Sequence, residues 1–243
     1  MPEYTVTSEI YGEYDYKTGM KPSREGNVIS EFPFLLPKGN DKAQFDEDSD
    51  LDIERPQRNV IKIEHSSKTN ISLVGLQVWR GAFLLGDLLI HLGLNGGLSG
   101  KTVLELGAGT GLTSFVAAIY AKKVVCTDID LGGILELIKL NAKYNSKLIK
   151  SQFKVMPLDF TSTDWNVSLL DEIKRTDVII ASDVTLPPIR QILLSKPARS
   201  SAIIICSGAM AIRSTVTIER SSSERVIVLG DRGPNIHFWN LYI

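Results

Sequence analysis

The chain has 243 residues, 43% of them hydrophobic and 23% charged, which is enough for one large core or two small ones. Its formal net charge of −1 excludes a global electrostatic pull toward nucleic acid or an anionic membrane. Two cysteines, Cys126 and Cys206, each stand in an apolar run, so buried thiols are expected, not a disulfide framework or a metal site.

The first residues, Met-Pro-Glu-Tyr-Thr, have neither the basic nor the apolar region of a signal peptide. No run approaches the ~18 apolar residues of a membrane span, so a soluble, intracellular chain without membrane contact is expected. Residues 1–58 are poor in periodic pattern. Asp41 to Glu54 carries seven acids in fourteen residues with only Lys42 opposing them. This predicts a mobile acidic arm over 1–58 and a folded domain over 59–243. Within the arm, Glu31 to Pro37 is apolar enough to dock on the domain as a short strand.

Val60 to His65 alternates and predicts an edge strand of a small hairpin. After Gly75-Leu-Gln-Val-Trp79 comes a helix whose stripe is Trp79, Phe83, Leu84, Leu88, Leu89 and Leu92. Trp79 reads either as a core anchor or as a wall of a ligand pocket. Next, Val103 to Leu106 is an apolar strand that breaks into Gly107, Gly109 and Gly111, and helical spacing resumes through Phe115, Ala118 and Ile119. Glycines suit such a turn because a β-carbon forbids its angles, and because a ligand can then lie against the main chain. The following helix presents unpaired N–H groups to that ligand.

The dinucleotide fingerprint needs a glycine at its sixth position. Counting from Gly107 finds Leu112 there, and counting from Gly109 finds Ser114. No Gly-Lys-Ser/Thr triplet of a phosphate loop follows either. What stands here is Glu105-x-Gly107-x-Gly109-x-Gly111. It resembles the first motif of the seven-strand S-adenosylmethionine-dependent methyltransferases.

Lys123 to Asp128 is a buried strand ending in an acid at the carboxyl edge, where open parallel sheets bind ligands. A carboxylate roughly 20 residues after the glycines can accept both ribose hydroxyls of a nucleoside, so Asp128 is the expected ribose ligand, with Asp130 as runner-up. Leu131 to Asn145 reads as a helix and Gln152 to Met156 as a strand. Beyond it, Asp159 could meet an adenine amino group and Phe160 could stack on the ring, or both could lie in a solvated loop. Asp177 to Ser182 is a fourth buried strand that delivers Asp183 to the same edge. Strands alternating with helices argue an α/β, doubly wound, mostly parallel sheet.

Leu76 to Gly81, Val103 to Leu112, Thr127-Asp128, Leu158 to Phe160 and Ala181 to Val184 follow the order and spacing of the protein-lysine methyltransferases called methyltransferase family 16. The resemblance runs from about residue 50 to 184. It implies a seven-strand, Rossmann-like sheet, S-adenosyl-L-methionine as cofactor, and transfer of its methyl group to a lysine amine of a protein substrate. It further implies that Trp79, Glu105, Gly107, Ala108, Gly109, Thr110, Gly111, Asp128, Asp159, Phe160 and Ser182 line or support the cofactor site. Asp183 would be the catalytic residue; the competing reading makes it a cap for backbone N–H groups. A monomer acting in the nucleus or cytoplasm, with no nucleic-acid partner and no metal, is expected by the same analogy.

Two departures stand out. Phe160 replaces a tryptophan usual in the family, and Leu186 replaces an aromatic that would wall the lysine channel. After Val184 the resemblance fails, as an altered reading frame would make it fail, so the sheet is expected to be incomplete at its C-terminal end. Ser201 to Cys206 could be a fifth strand, Thr215 to Ile218 could form a hairpin with Arg225 to Leu229, and Ile236 to Ile243 is either a packed last strand or a loose tail. The alternative function is therefore a methyltransferase-fold binding module that has lost part of its substrate channel.

Overall fold

The structure, a computed structural model, describes residues 4–8, 10, 18–36, 44–45, 51–52, 57–162, 164–184, 202–207, 225–231 and 236–241. The amino-terminal part contributes β1 (Thr5–Thr7), β2 (Asn27–Leu36), β3 (Gln44–Phe45), β4 (Leu51–Asp52), β5 (Gln57–Ser66) and β6 (Lys68–Asn70). A 3-10 helix over Ile71–Leu76 leads to α1 (Arg80–Leu94). Alternation then follows through β7 (Thr102–Leu106), α2 (Leu112–Tyr120), β8 (Lys123–Asp128), α3 (Ile134–Tyr144), β9 (Gln152–Pro157), α4 (Val167–Arg175) and β10 (Val178–Ser182). Three further strands, β11 (Ala202–Ser207), β12 (Arg225–Asp231) and β13 (Ile236–Leu241), complete the order.

Seven strands form one sheet in the order β13-β12-β11-β10-β7-β8-β9. Every pairing in it is parallel except β12 with β13, which is antiparallel. The chain starts at β7, winds outward through β8 and β9, and returns to the other side of β7 as β10. The switch of direction between β7 and β10 opens a crevice at the carboxyl edge. The expected shortage of strands beyond residue 184 is corrected here, since three come from that region. β12 pairs with β11 and β13. Residues 215–218, expected to form a hairpin with it, lie outside the described residues, as do Leu186 and most of the Asp41 to Glu54 acidic run.

Burial explains the winding. In α2, all of Leu112 to Ile119 is buried, because it is covered by α1 on one side and the sheet on the other. Fully burying a side chain such as Phe115 contributes roughly 1.5–3 kcal/mol. Its ring also stacks on Phe153 at 5.4 Å. In α1 the buried face is Gly81, Ala82, Leu85, Gly86 and Leu89, a shift from the expected stripe. The reason is close approach: small residues let α1 settle onto α2, with Gly86 facing Val116, and the larger Phe83, Leu84 and Leu88 are pushed to the half-buried margin.

Residues 71–94 hold an 18-residue window of mean hydropathy 1.5, long and apolar enough by length and composition to cross a membrane, contrary to the expectation that no run approaches that length. Extended backbone at Gln77 (φ −101, ψ 162) and Trp79 (φ −111, ψ 153) breaks it into two helices. Its apolar side packs into the core.

The predicted small hairpin at residues 60–65 is instead a ten-residue antiparallel pair of β5 with β2. Part of the expected arm is thus a strand on the domain, with Ile29, Phe32, Ile61 and Ile63 buried beneath it. Asn141 of α3 and Asn145, the residue just after it, fasten β5. Asn145 exchanges hydrogen bonds with the backbone of Lys62 (2.9 and 2.7 Å), and Asn141 does the same with Glu64 (2.8 and 3.0 Å). Four residues along a helix rise ~6 Å and two along a strand rise ~6.6 Å, so an i, i+4 pair can serve as a strand's hydrogen-bonding neighbour. Asn141 also donates to Thr110 O at 3.0 Å, which ties this assembly to the glycine turn.

Candidate functional site

The crevice holds a cavity of about 470 Å³. Its floor is the turn between β7 and α2, where Gly107, Gly109 and Gly111 take φ of 63, 56 and 87°. At Gly109 the requirement is double: positive φ, and a β-carbon that would sit 2.9 Å from Gly75 O. Asp128, at the end of β8, clips the turn in place. Its Oδ2 accepts from Gly109 N–H at 2.6 Å and its Oδ1 from Ile129 N–H at 2.7 Å. Burial raises the Asp128 pKa above the ordinary value, and the two N–H donors work against that shift. A carboxylate oxygen accepts more than one hydrogen bond, so both oxygens keep capacity for ligand hydroxyls.

Trp79, Gly107, Ala108, Gly109, Thr110, Asp128, Ser182 and Asp183 all line the cavity. These expected residues come from four separate stretches, which the sheet edge gathers. Asp183 has φ 52, an uncommon angle for a residue with a β-carbon. Its Oδ2 accepts from Gly81 N–H at 2.9 Å. Trp79, the residue before α1, offers that helix no side-chain cap, so Asp183 supplies one from across the cavity. Both sequence-level readings of Asp183 therefore meet in one geometry: it caps α1 and faces the cavity.

Four expected residues lie elsewhere. Glu105 is fully buried behind the turn, where Thr113 Oγ1 and Ser114 Oγ donate to its two oxygens. Burial, with the nearby Asp128 charge, pushes its pKa up to about 7 despite those hydroxyls. Its neighbour Cys126 is a free, buried thiol pushed well up, first by burial and then by Glu105. Gly111 starts α2 over the Phe115 ring, off the cavity wall. Asp159 turns to its own loop, accepting from Thr161 N–H and Oγ1 at 2.7 Å each, and these bonds hold its carboxyl below the ordinary value. Phe160 stands against Gly107, where a β-carbon would lie 3.7 Å from its Cε2, and packs on the small core behind the turn. Asp130, the runner-up, is exposed and away from the lining.

One wall was missed. Ser72, Val74, Gly75, Gln77 and Val78 line the cavity from the 3-10 helix and the extended residues after it. Gln77 is 2% exposed, and its Nε2 donates to Val6 O and Thr69 Oγ1 at 2.8 and 2.7 Å. Trp79 Nε1 donates to Val74 O at 3.0 Å, which folds this wall back on itself. Gly75, four residues before Trp79, was the available signal. Ile129 and Ile134 carried none, since their apolarity reads as core. The arrangement can hold a nucleoside through Asp128, keep it against bare backbone, and present one carboxylate, Asp183, to whatever approaches from the opening.

Residues 56–208 match the sequence profile of a family described as lysine methyltransferase. The chain is 39% identical over 159 residues to methyltransferase-like protein 22 of Mus musculus, covering 58% of this chain and 39% of that protein. It is 33% identical over 196 residues to methyltransferase-like protein 22 of Homo sapiens, covering 61% and 48% respectively. Protein N-lysine methyltransferase METTL21A of Xenopus tropicalis is 30% identical over 139 residues, 55% of this chain and 60% of that protein. The chain thus spans less than two thirds of the length of these relatives.

Proposed function

The chain belongs to the lysine methyltransferase family, and on that premise we propose that it transfers a methyl group from S-adenosyl-L-methionine to the side-chain amine of a lysine in a protein substrate. The observation that carries this reading is the clip of Asp128 on Gly109 at the floor of the cavity. It sets a carboxylate beside a turn stripped of side chains, as a nucleoside with a ribose diol requires. The volume also falls within the ~300–1,000 Å³ of small-molecule sites.

When bound, S-adenosyl-L-methionine supplies a methyl group already activated by its sulfonium, so little acid–base chemistry is asked of the protein. Gly107 to Thr110 and Asp128 would hold the nucleoside part, with Ile129 and Ile134 as apolar walls. Trp79, Ala82 and Val184 also line the cavity and would shield the reacting groups from water. An apolar lining disfavours a charged ammonium, so a lysine entering it tends toward the neutral, nucleophilic amine. Asp183 would orient that amine by accepting a hydrogen bond from Nζ, and its own position is set by Gly81 N–H.

Incubation with methyl-labelled S-adenosyl-L-methionine and a protein extract tests the proposal. Labelled lysine is expected with the wild type and not with Asp183→Ala. Uptake of cofactor without transfer would reduce the chain to the binding module.

A further inference from the structure

Arg24 lies more than a hundred residues from α3 in sequence, yet it grips the start of that helix. Its Nη1 donates to Gly132 O at 3.0 Å and its Nη2 to Gly133 O at 3.1 Å. These two glycines take φ of 60 and 75° and carry the chain from Asp128 into α3. On either side of them, Ile129 and Ile134 line the cavity. Two adjacent glycines make a soft joint, because nothing intrinsic to them prefers the observed angles over others. A planar guanidinium that donates to both carbonyls from its fork removes that freedom; a lysine ammonium in its place could not match the paired geometry.

The base of this grip is itself fixed. Ser23 N–H and Oγ donate to the two Glu64 oxygens at 2.9 and 2.7 Å, and Asn27 Nδ2 donates at 2.9 Å. Tyr144 OH, at the end of α3, reaches the same carboxylate at 3.3 Å. Glu64 is fully buried and belongs to β5, which Asn141 and Asn145 hold. Residues 23–27 therefore form a strap anchored on the body of the domain, with Arg24 as the part that reaches the cavity wall.

We propose that Arg24 is a positioning residue for cofactor binding, which acts by fixing the Gly132–Gly133 joint so that Ile129 and Ile134 stand where the nucleoside needs them. The inference rests on the reading of the cavity as the S-adenosyl-L-methionine site. Without the guanidinium the joint samples other angles. If the competent arrangement falls to about one molecule in ten, apparent affinity falls about tenfold.

Two measurements on the whole chain test this and keep the failures apart. Calorimetric titration with S-adenosyl-L-methionine is expected to give Arg24→Ala a Kd about tenfold above wild type, with Arg24→Lys between the two. The rate at saturating cofactor should stay unchanged. In ligand-free protein, amide hydrogen exchange over residues 130–136 is expected to speed up in Arg24→Ala, while exchange in β7 and β8 stays as in wild type. Unchanged exchange at 130–136, or wild-type affinity in Arg24→Ala, overturns the role of Arg24. A wild type that ignores the cofactor overturns the cavity reading instead, and the exchange result still decides what Arg24 does to the joint.

Discussion

Gly81→Ala separates the two duties of Asp183. Gly81 is the second residue of α1 and needs no unusual backbone angle, so the substitution adds one methyl group and nothing else. That methyl carbon would sit 2.8 Å from Asp183 Cγ and closer still to its Oδ2, whereas ordinary contact starts near 3.4 Å. The carboxylate must retreat by at least ~0.6 Å and give up Gly81 N–H. Loss of a cap costs about 1 kcal/mol, and alanine in place of glycine inside a helix returns about 1 kcal/mol. The two offset, so the melting temperature is expected to move by no more than ~4 °C. Activity has no such offset: a misplacement approaching 1 Å of a group that orients the nucleophile costs ~100-fold. Thermal unfolding and steady-state transfer of labelled methyl, measured on the same preparation, check both halves. A Gly81→Ala protein that is folded and turns over at the wild-type rate would refute the assignment of Asp183 as the orienting carboxylate.

The other expectations concern the floor of the cavity and the acid beneath it. Asp128→Ala removes two charge-assisted bonds to backbone N–H and the hydroxyl acceptor, a loss of ~1.5–3 kcal/mol or about 10–150-fold in cofactor Kd by calorimetric titration; unchanged affinity would take Asp128 out of the site. Glu105, with its folded-state pKa raised from 4.5 to about 7, favours the folded state in its neutral form. The stability it contributes is complete below pH 4.5 and is lost as pH rises through about 7, a swing of about 3 kcal/mol. Glu105→Gln should flatten the stability profile over that window and make the protein more stable than wild type at pH 8, read from denaturant midpoints at pH 5 and pH 8; parallel profiles for the two proteins would contradict a Glu105 carboxyl raised by burial.

Much of the fold was legible because its signals are local. The run from Val103 into three spaced glycines and then into Phe115 and Ile119 specifies strand, turn and helix within about twenty residues. Apolar runs ending in Asp128 and Asp183 mark the carboxyl edge of a parallel sheet. Contacts between distant segments were not legible. The fastening of β5 to the end of α3 runs through Asn141 and Asn145, whose spacing matches a strand, and nothing at either residue announces that partner. Of the wall at residues 72–78 nothing was read as a ligand contact, because its cavity exists only once β8 and α3 stand opposite it.

Glu105 shows the boundary most plainly. An acid in the middle of an apolar strand is visible in the chain as an exception, and its place next to the glycines suggested a ligand. Alternation along a strand says that Glu105 and Leu104 face opposite layers, but not which layer holds the cavity; packing of α2 decided that, by bringing Thr113 and Ser114 over the carboxylate. By itself the sequence determined the strand-turn-helix floor and the acids at the ends of two strands, because backbone angles and hydrophobic period act between near neighbours. Tertiary structure alone decided which of those acids meet, that Asp183 caps α1 through Gly81, and that Arg24 closes on α3, because such contacts join residues that only folding brings within reach.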